Sequence, residues 1–326
     1  MVKVALLVVT LLWQGHWFGG EAGTITFKWT DADKVPDAVV TWEVLYEKAS
    51  LGKGRLVLKA VDKGGTLSLT LPEVRVKTEA RFVYKVMSSD GKEDLGGGER
   101  AIVLYPKAPL APWVETLGTK SLVVWDEDGG LPVVLKSAGM PHTQIKGGGG
   151  LQMVSADIIL VGEDRIDASV FSQAELLEQA KAGSSVVVFS QKAPARLMES
   201  SVIQKHLAGK LEWRYEHQLL GQLSKAAIGS ILVDRKEQVL GAIRLDAGGP
   251  GVAVAYWPGD NGSERASEVD ALIAVKPLGK GRVIYWQLPL GGWAGDPRSQ
   301  MVLAGALDFL LKPVQAKVRT EKEAKP

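Results

Sequence analysis

Three apolar runs in this chain end in clusters of residues whose types could do chemistry. Ser121-Leu-Val-Val-Trp125 leads into Asp126-Glu127-Asp128, Ala156 to Val161 into Gly162-Glu163-Asp164, and Ser184 to Phe189 into Ser190-Gln191-Lys192. Carboxylates brought together from separate loops can hold a hard cation such as calcium or magnesium through oxygen, or accept hydrogen bonds from a polyol. Asp126, Asp128, Glu163, Asp164 and Gln191 are therefore the candidate binding residues, with Asp126 and Asp164 as candidate metal ligands. The competing explanation is that strand ends need turn and cap residues in any case. Asp128-Gly-Gly has the composition of a turn, and Asp167 or Ser169 that of a helix cap.

Ser190 is the candidate nucleophile. A serine after a buried strand suits a nucleophile elbow, but that turn needs Gly-x-Ser-x-Gly, and here the run is Val188-Phe-Ser-Gln-Lys192. A triad also needs a base, and His142, His206 and His217 lie in no supporting motif. Gly147 to Gly150 lacks the Gly-Lys-Ser/Thr ending of a phosphate loop and reads as a connector. Trp293, with Trp257 and Trp286, offers a sugar-stacking surface, and core packing is the alternative fate. The chain has no cysteine, which removes thiolate nucleophiles, disulfides and cysteine-based zinc sites. No cofactor is expected.

The clusters must be positioned by the elements that precede them. After residue 112 the apolar runs alternate with helical patterns, notably Phe171 to Ala182 and Gln300 to Leu311, and Arg282 to Leu288 forms a last buried strand. Strands apolar on both faces and separated by helices predict a parallel sheet covered by helices, with ligands at the carboxyl ends of the strands. Residues 24 to 105 have a different rhythm. Thr24 to Trp29, Val39 to Tyr46, Arg55 to Val61, Thr66 to Leu71, Ala80 to Met87 and Arg100 to Tyr105 read as short strands between glycine-containing turns. That spacing predicts an immunoglobulin-like sandwich. Pro106 to Pro112, with three prolines, is the expected linker, and the charged tail 313–326 is expected to be disordered. The predicted fold class is thus two-domain: an N-terminal all-β immunoglobulin-like sandwich (24–105) and a C-terminal α/β flavodoxin-like parallel sheet (113–312).

The start of the chain carries an address. Lys3 precedes the uncharged run Val4 to Trp13, and Gly20-Glu-Ala22 places small residues at the two positions a signal peptidase reads before Gly23. The expectation is a signal peptide over 1–22 and an exported mature protein. A formal net charge of +2 argues against a nucleic-acid partner chosen by bulk charge, and the apolar run is too short to span a bilayer, which takes roughly 20 residues.

The order of strand, Asp-x-Asp-Gly, strand, helix and valine-rich strand resembles the class I glutamine amidotransferase-like domains found with secreted glycoside hydrolases. So does the closing Leu278-Gly-Lys-Gly-Arg-Val-Ile-Tyr-Trp-Gln-Leu-Pro289, followed by Asp296-Pro297 and an apolar helix. His217-Gln-Leu-Leu220 is similar to the His-Pro-Leu-Leu segment of that family. The first half resembles the sandwiches of family 2 glycoside hydrolases, through Thr41 to Leu45, Thr66 to Val74 and Val103 to Pro106. The amidotransferase nucleophile is a cysteine, absent here, and Ser190 falls near its place. A glycosidase barrel needs about 250 residues by itself. The resemblance implies accessory domains without the catalytic part. The expected function is a non-catalytic exported protein of binding or assembly, with carbohydrate or an envelope protein as partner. The alternative is a metal-assisted or serine-dependent hydrolase acting on a sugar-derived substrate at the strand ends.

Overall fold

The computed structural model describes residues 9–12, 15–29, 37–62, 64–127, 129–166, 170–191, 196–198, 200–206, 211–220, 223, 227–231, 239–246, 249–257, 268–290 and 292–311. Asp128, Asp167, Ser169 and the charged tail lie outside these residues. The chain divides into two units, Met1–Pro109 and Leu110–Pro326.

In the first unit, two sheets pack on one core. β1 (Val9–Leu12), β3 (Ala22–Trp29) and β6 (Gly64–Thr70) form a three-stranded sheet in the order β1-β3-β6. A five-stranded sheet runs β2-β8-β7-β4-β5, from β2 (His16–Phe18), β8 (Asp94–Tyr105), β7 (Thr78–Ser88), β4 (Ala38–Tyr46) and β5 (Ala49–Leu58). In β7 every second residue, Ala80, Phe82, Tyr84 and Val86, is buried, as period-two side-chain placement requires of a half-buried strand. These residues meet Ile25, Phe27 and Trp29 of β3 in a single apolar cluster, on which Trp42 packs with its ring stacked 6.3 Å from Phe82.

The second unit holds an eleven-stranded sheet. Its first five strands, in spatial order, are β10 (Thr143–Ile145), β9 (Leu122–Trp125), β11 (Ile158–Val161), β12 (Ser185–Phe189) and β19 (Gly281–Trp286), all paired in parallel. β9 and β11 are buried along their whole length, so alternate residues feed two cores. Val124, Leu160, Phe189 and Trp286 face one core, with Leu131 and Leu135 of α2 (Gly130–Ser137) and Leu303 and Leu307 of α4 (Pro297–Leu311). Val123, Ile159, Val188 and Tyr285 face the other, with Leu176 and Ala180 of α3 (Val170–Ala182). The guanidinium of Arg282 donates to the Leu310 carbonyl at 2.6 Å and lies 5.0 Å from the Phe309 ring centroid, closing the C-terminal turn of α4.

Beyond β19 the sheet reverses. β18 (Glu268–Leu278), β16 (Val239–Asp246), β14 (Ser200–His206) and β13 (Arg196–Leu197) continue it, with β17 (Val252–Trp257) branching from β18 and β15 (Glu212–Trp213) pairing β17. All of these pairings are antiparallel. The fold class expected from the sequence, an immunoglobulin-like sandwich followed by a flavodoxin-like parallel sheet, is therefore corrected. Among the described residues strand accounts for 48% and helix for 23%, and the large sheet is mixed. The physical reason is visible at Gly279-Lys280. Gly279, at φ +58°, turns β18 directly into β19, and so short a connection can join only antiparallel neighbours, because a parallel pair needs a crossover. Among the described residues no helix is long and apolar enough to cross a membrane.

Candidate functional site

The carboxyl ends of β9, β11, β12 and β19 lie side by side, as the register Val161↔Trp125 and Phe189↔Trp286 fixes. The polar clusters that follow these strands are therefore neighbours, and the turn Gly162–Ile166 ties them together. Asp126 is fully buried. One carboxylate oxygen accepts Arg165 Nε at 2.9 Å, and the other accepts the backbone N–H of Leu131 at 3.1 Å in the first turn of α2. A carboxylate there satisfies an orphan helix donor and sits at the positive end of the helix dipole. Room for it comes from glycines: a Cβ at Gly129 would lie 1.9 Å from the carboxylate oxygens, and one at Gly162 only 2.4 Å.

Gln191 is the second knot. Its Oε1 accepts the Ile166 N–H at 2.9 Å, and its Nε2 donates to the carbonyls of Gly162 (2.8 Å) and Phe189 (2.6 Å). Its own backbone N–H donates to Gln287 Oε1 at 2.9 Å, which carries the network to the end of β19. Gln287 is fully buried, and its Nε2 has no hydrogen-bond partner among the described residues. Glu163 accepts the backbone N–H of Leu290 in the loop after β19. Asp164, exposed and at φ +55°, donates its backbone N–H to the Ser190 carbonyl at 2.9 Å.

Of the residues expected at the site, Asp126, Glu163, Asp164, Ser190 and Gln191 are thus brought to one edge, while Asp128 lies outside the described residues. They are brought together as a bonded lattice. Among the described residues, no group of three or more acidic or imidazole side chains could hold a metal ion. Trp293 is buried, its ring edge-on to Phe189 at 4.8 Å and pressed against Gly130, where a Cβ would lie 2.7 Å away. Trp257 and Trp286 are buried in the same core, so these three indoles are not a sugar platform.

Among the described side chains, neither His142 nor His217 hydrogen-bonds Ser190. His142 precedes β10, at the opposite end of the parallel strands, where its Nδ1 meets the Met140 carbonyl at 2.9 Å. His217 packs on Phe309 of α4, ring centroids 5.4 Å apart, and its Nδ1 accepts the Leu219 N–H at 3.2 Å. Burial holds its imidazole below the ordinary value, with the Arg214 charge adding to the effect and Glu216 opposing it. The side chain of His206 lies outside the described residues.

The sequence reading missed three features. Arg165, the partner of Asp126, carried no signal beyond its charge. Arg298 forms a buried bidentate pair with Asp296 (2.8 and 3.0 Å) and reaches Ser230 at 3.0 Å, anchoring the start of α4. In the antiparallel half, Ser200 Oγ lies 3.2 Å from Lys276 Nζ in a cavity of 120 Å³ that Arg244, Asp246 and Glu268 also line.

No family model matches the chain, and no curated protein matches it. Among solved structures, a family 76 glycoside hydrolase from a bovine Bacteroides thetaiotaomicron strain aligns at 12% identity and a TM-score of 0.22, over 35% of this chain and 23% of that one. Murine CRIg aligns at 12% identity and a TM-score of 0.20, over 31% of this chain and 98% of that one. At such TM-scores neither likeness bears on fold or activity.

Proposed function

We propose that the chain is an exported, non-catalytic binding or assembly protein that works with carbohydrate or cell-envelope material. One observation carries this reading: at the strand ends, where a sheet of this kind would host chemistry, Asp126, Glu163 and Gln191 hydrogen-bond to the chain itself. Groups held in this way stabilise loops and do not reorganise easily around a substrate. The test is the full chain on a glycan array and against envelope fractions, beside a turnover panel of glycosides and esters. Retention without turnover is expected; turnover that Ser190→Ala or Asp126→Asn abolishes would contradict it.

A serine-dependent hydrolase is the second reading, and the Ser200–Lys276 contact in the 120 Å³ cavity favours it, since a lysine can replace histidine as the base of a nucleophilic serine. Ester turnover lost in Ser200→Ala and kept in Ser190→Ala would move the function there.

A further inference from the structure

The five-stranded sheet of the first unit has an outer face that the core does not use. Period-two placement turns Val40, Val44, Phe82 and Val86 into the apolar cluster, so Thr41, Glu43, Val83 and Lys85 stand on the opposite face. Register sets two rows of side chains across that face. Arg55 of β5 lies opposite Thr41 of β4, which lies opposite Lys85 of β7. In the next row Lys53 lies opposite Glu43, which lies opposite Val83. Directly opposite residues are about 5 Å apart, so Arg55 and Lys85 flank Thr41 across roughly 10 Å. These six residues line a shallow groove of about 420 Å³.

Three cations there face one carboxylate. Lys53 and Arg55 are exposed and make no ion pair among the described residues, while Lys85 holds Asp94 at 3.1 Å. Charges on an edge strand also deter pairing with another sheet, and β5 is an edge. That need does not account for Lys85, which lies on β7, two strands further in.

We propose that this groove holds an acidic glycan, a polymer whose sugars carry carboxylates. The assignment rests on the binding reading above and gives that reading a site and a ligand class. A guanidinium presents a fork of donors that matches a carboxylate, and Lys85 adds a second cation across Thr41. The Thr41 hydroxyl between them can hydrogen-bond a sugar hydroxyl. Glu43 accepts hydrogen bonds from further hydroxyls, and its charge opposes a denser anion such as a phosphate polymer. A neutral glycan would gain nothing from the three cations.

The test is retention of the full chain on immobilised polygalacturonate, with dextran and double-stranded DNA as comparison matrices. The wild type is expected to bind polygalacturonate more tightly than either, and to release as salt rises. Arg55→Glu with Lys85→Glu should weaken that binding about ten-fold or more at unchanged Tm, since it sets like charges against the ligand. Lys136→Glu with Lys146→Glu, the same change of net charge in the second unit, should leave it unchanged. Equal loss in both double variants, or equal or tighter binding to DNA, would overturn the proposal by showing attraction through bulk charge. Tight binding to a glycan that the Arg55 and Lys85 reversals do not affect would overturn this site and leave the binding reading in place. No retention on any glycan or envelope fraction would defeat both.

Discussion

Asp126 stands at the centre of the residue-scale account. Its burial, its bond to Arg165 and its hold on the first turn of α2 predict that Asp126→Ala lowers stability by about 3 kcal/mol in denaturant unfolding, as loss of one partner of a buried pair does. Arg165 keeps some solvent contact, so Arg165→Ala should cost less, and the double variant should show a coupling of about 1 kcal/mol or more. The carboxylate's position was legible in the sequence, because a short apolar run ending in acid marks a strand end. Its partner was not, because Arg165 lies 39 residues further along the chain and nothing local announces the contact. His217 yields a prediction of a different kind. Its folded-state pKa is depressed below the unfolded value, so the folded protein binds fewer protons and stability rises with pH across that interval. Its contribution is complete above pH ~6.5 and is lost as pH falls below that value. A Tm series from pH 7 to 5 should fall, and His217→Gln should flatten the slope; an unchanged slope would show that the imidazole is not held neutral.

At the scale of elements, what was legible follows from how local the signal is. β4, β7 and β8 fall where the alternation places strands, and β9, β11 and β12 where continuous apolar runs place buried ones. The antiparallel half was not legible, since the order β19-β18-β16-β14 is set by contacts between segments far apart in sequence. The turn at Gly279-Lys280 was visible, but the direction it imposes on the sheet depends on β18 being a strand, and 268–278 has only weak alternation of its own. That turn is therefore the element-scale test. Gly279 combines φ +58° with a Cβ position 2.5 Å from the Lys181 carbonyl, so Gly279→Ala should cost about 1–2 kcal/mol in equilibrium unfolding. A neutral substitution would mean that the hairpin does not turn in this conformation.

Over the whole molecule, a balanced charge, the absence of cysteine and two units with their own apolar clusters describe a protein held together by core burial without disulfides. The large sheet looks, at its parallel end, like a platform for chemistry, and the residues there have the right types. What they do is tie four strand ends and a helix start to one another. The direct test of that claim is a thermal scan of the wild type and of Asp126→Ala, each in chelator and in millimolar calcium or magnesium. The account predicts a lower Tm for Asp126→Ala and no shift of either protein with either cation. A cation-dependent rise in the wild type that Asp126→Ala abolishes would contradict it, and would make the strand ends a metal site after all.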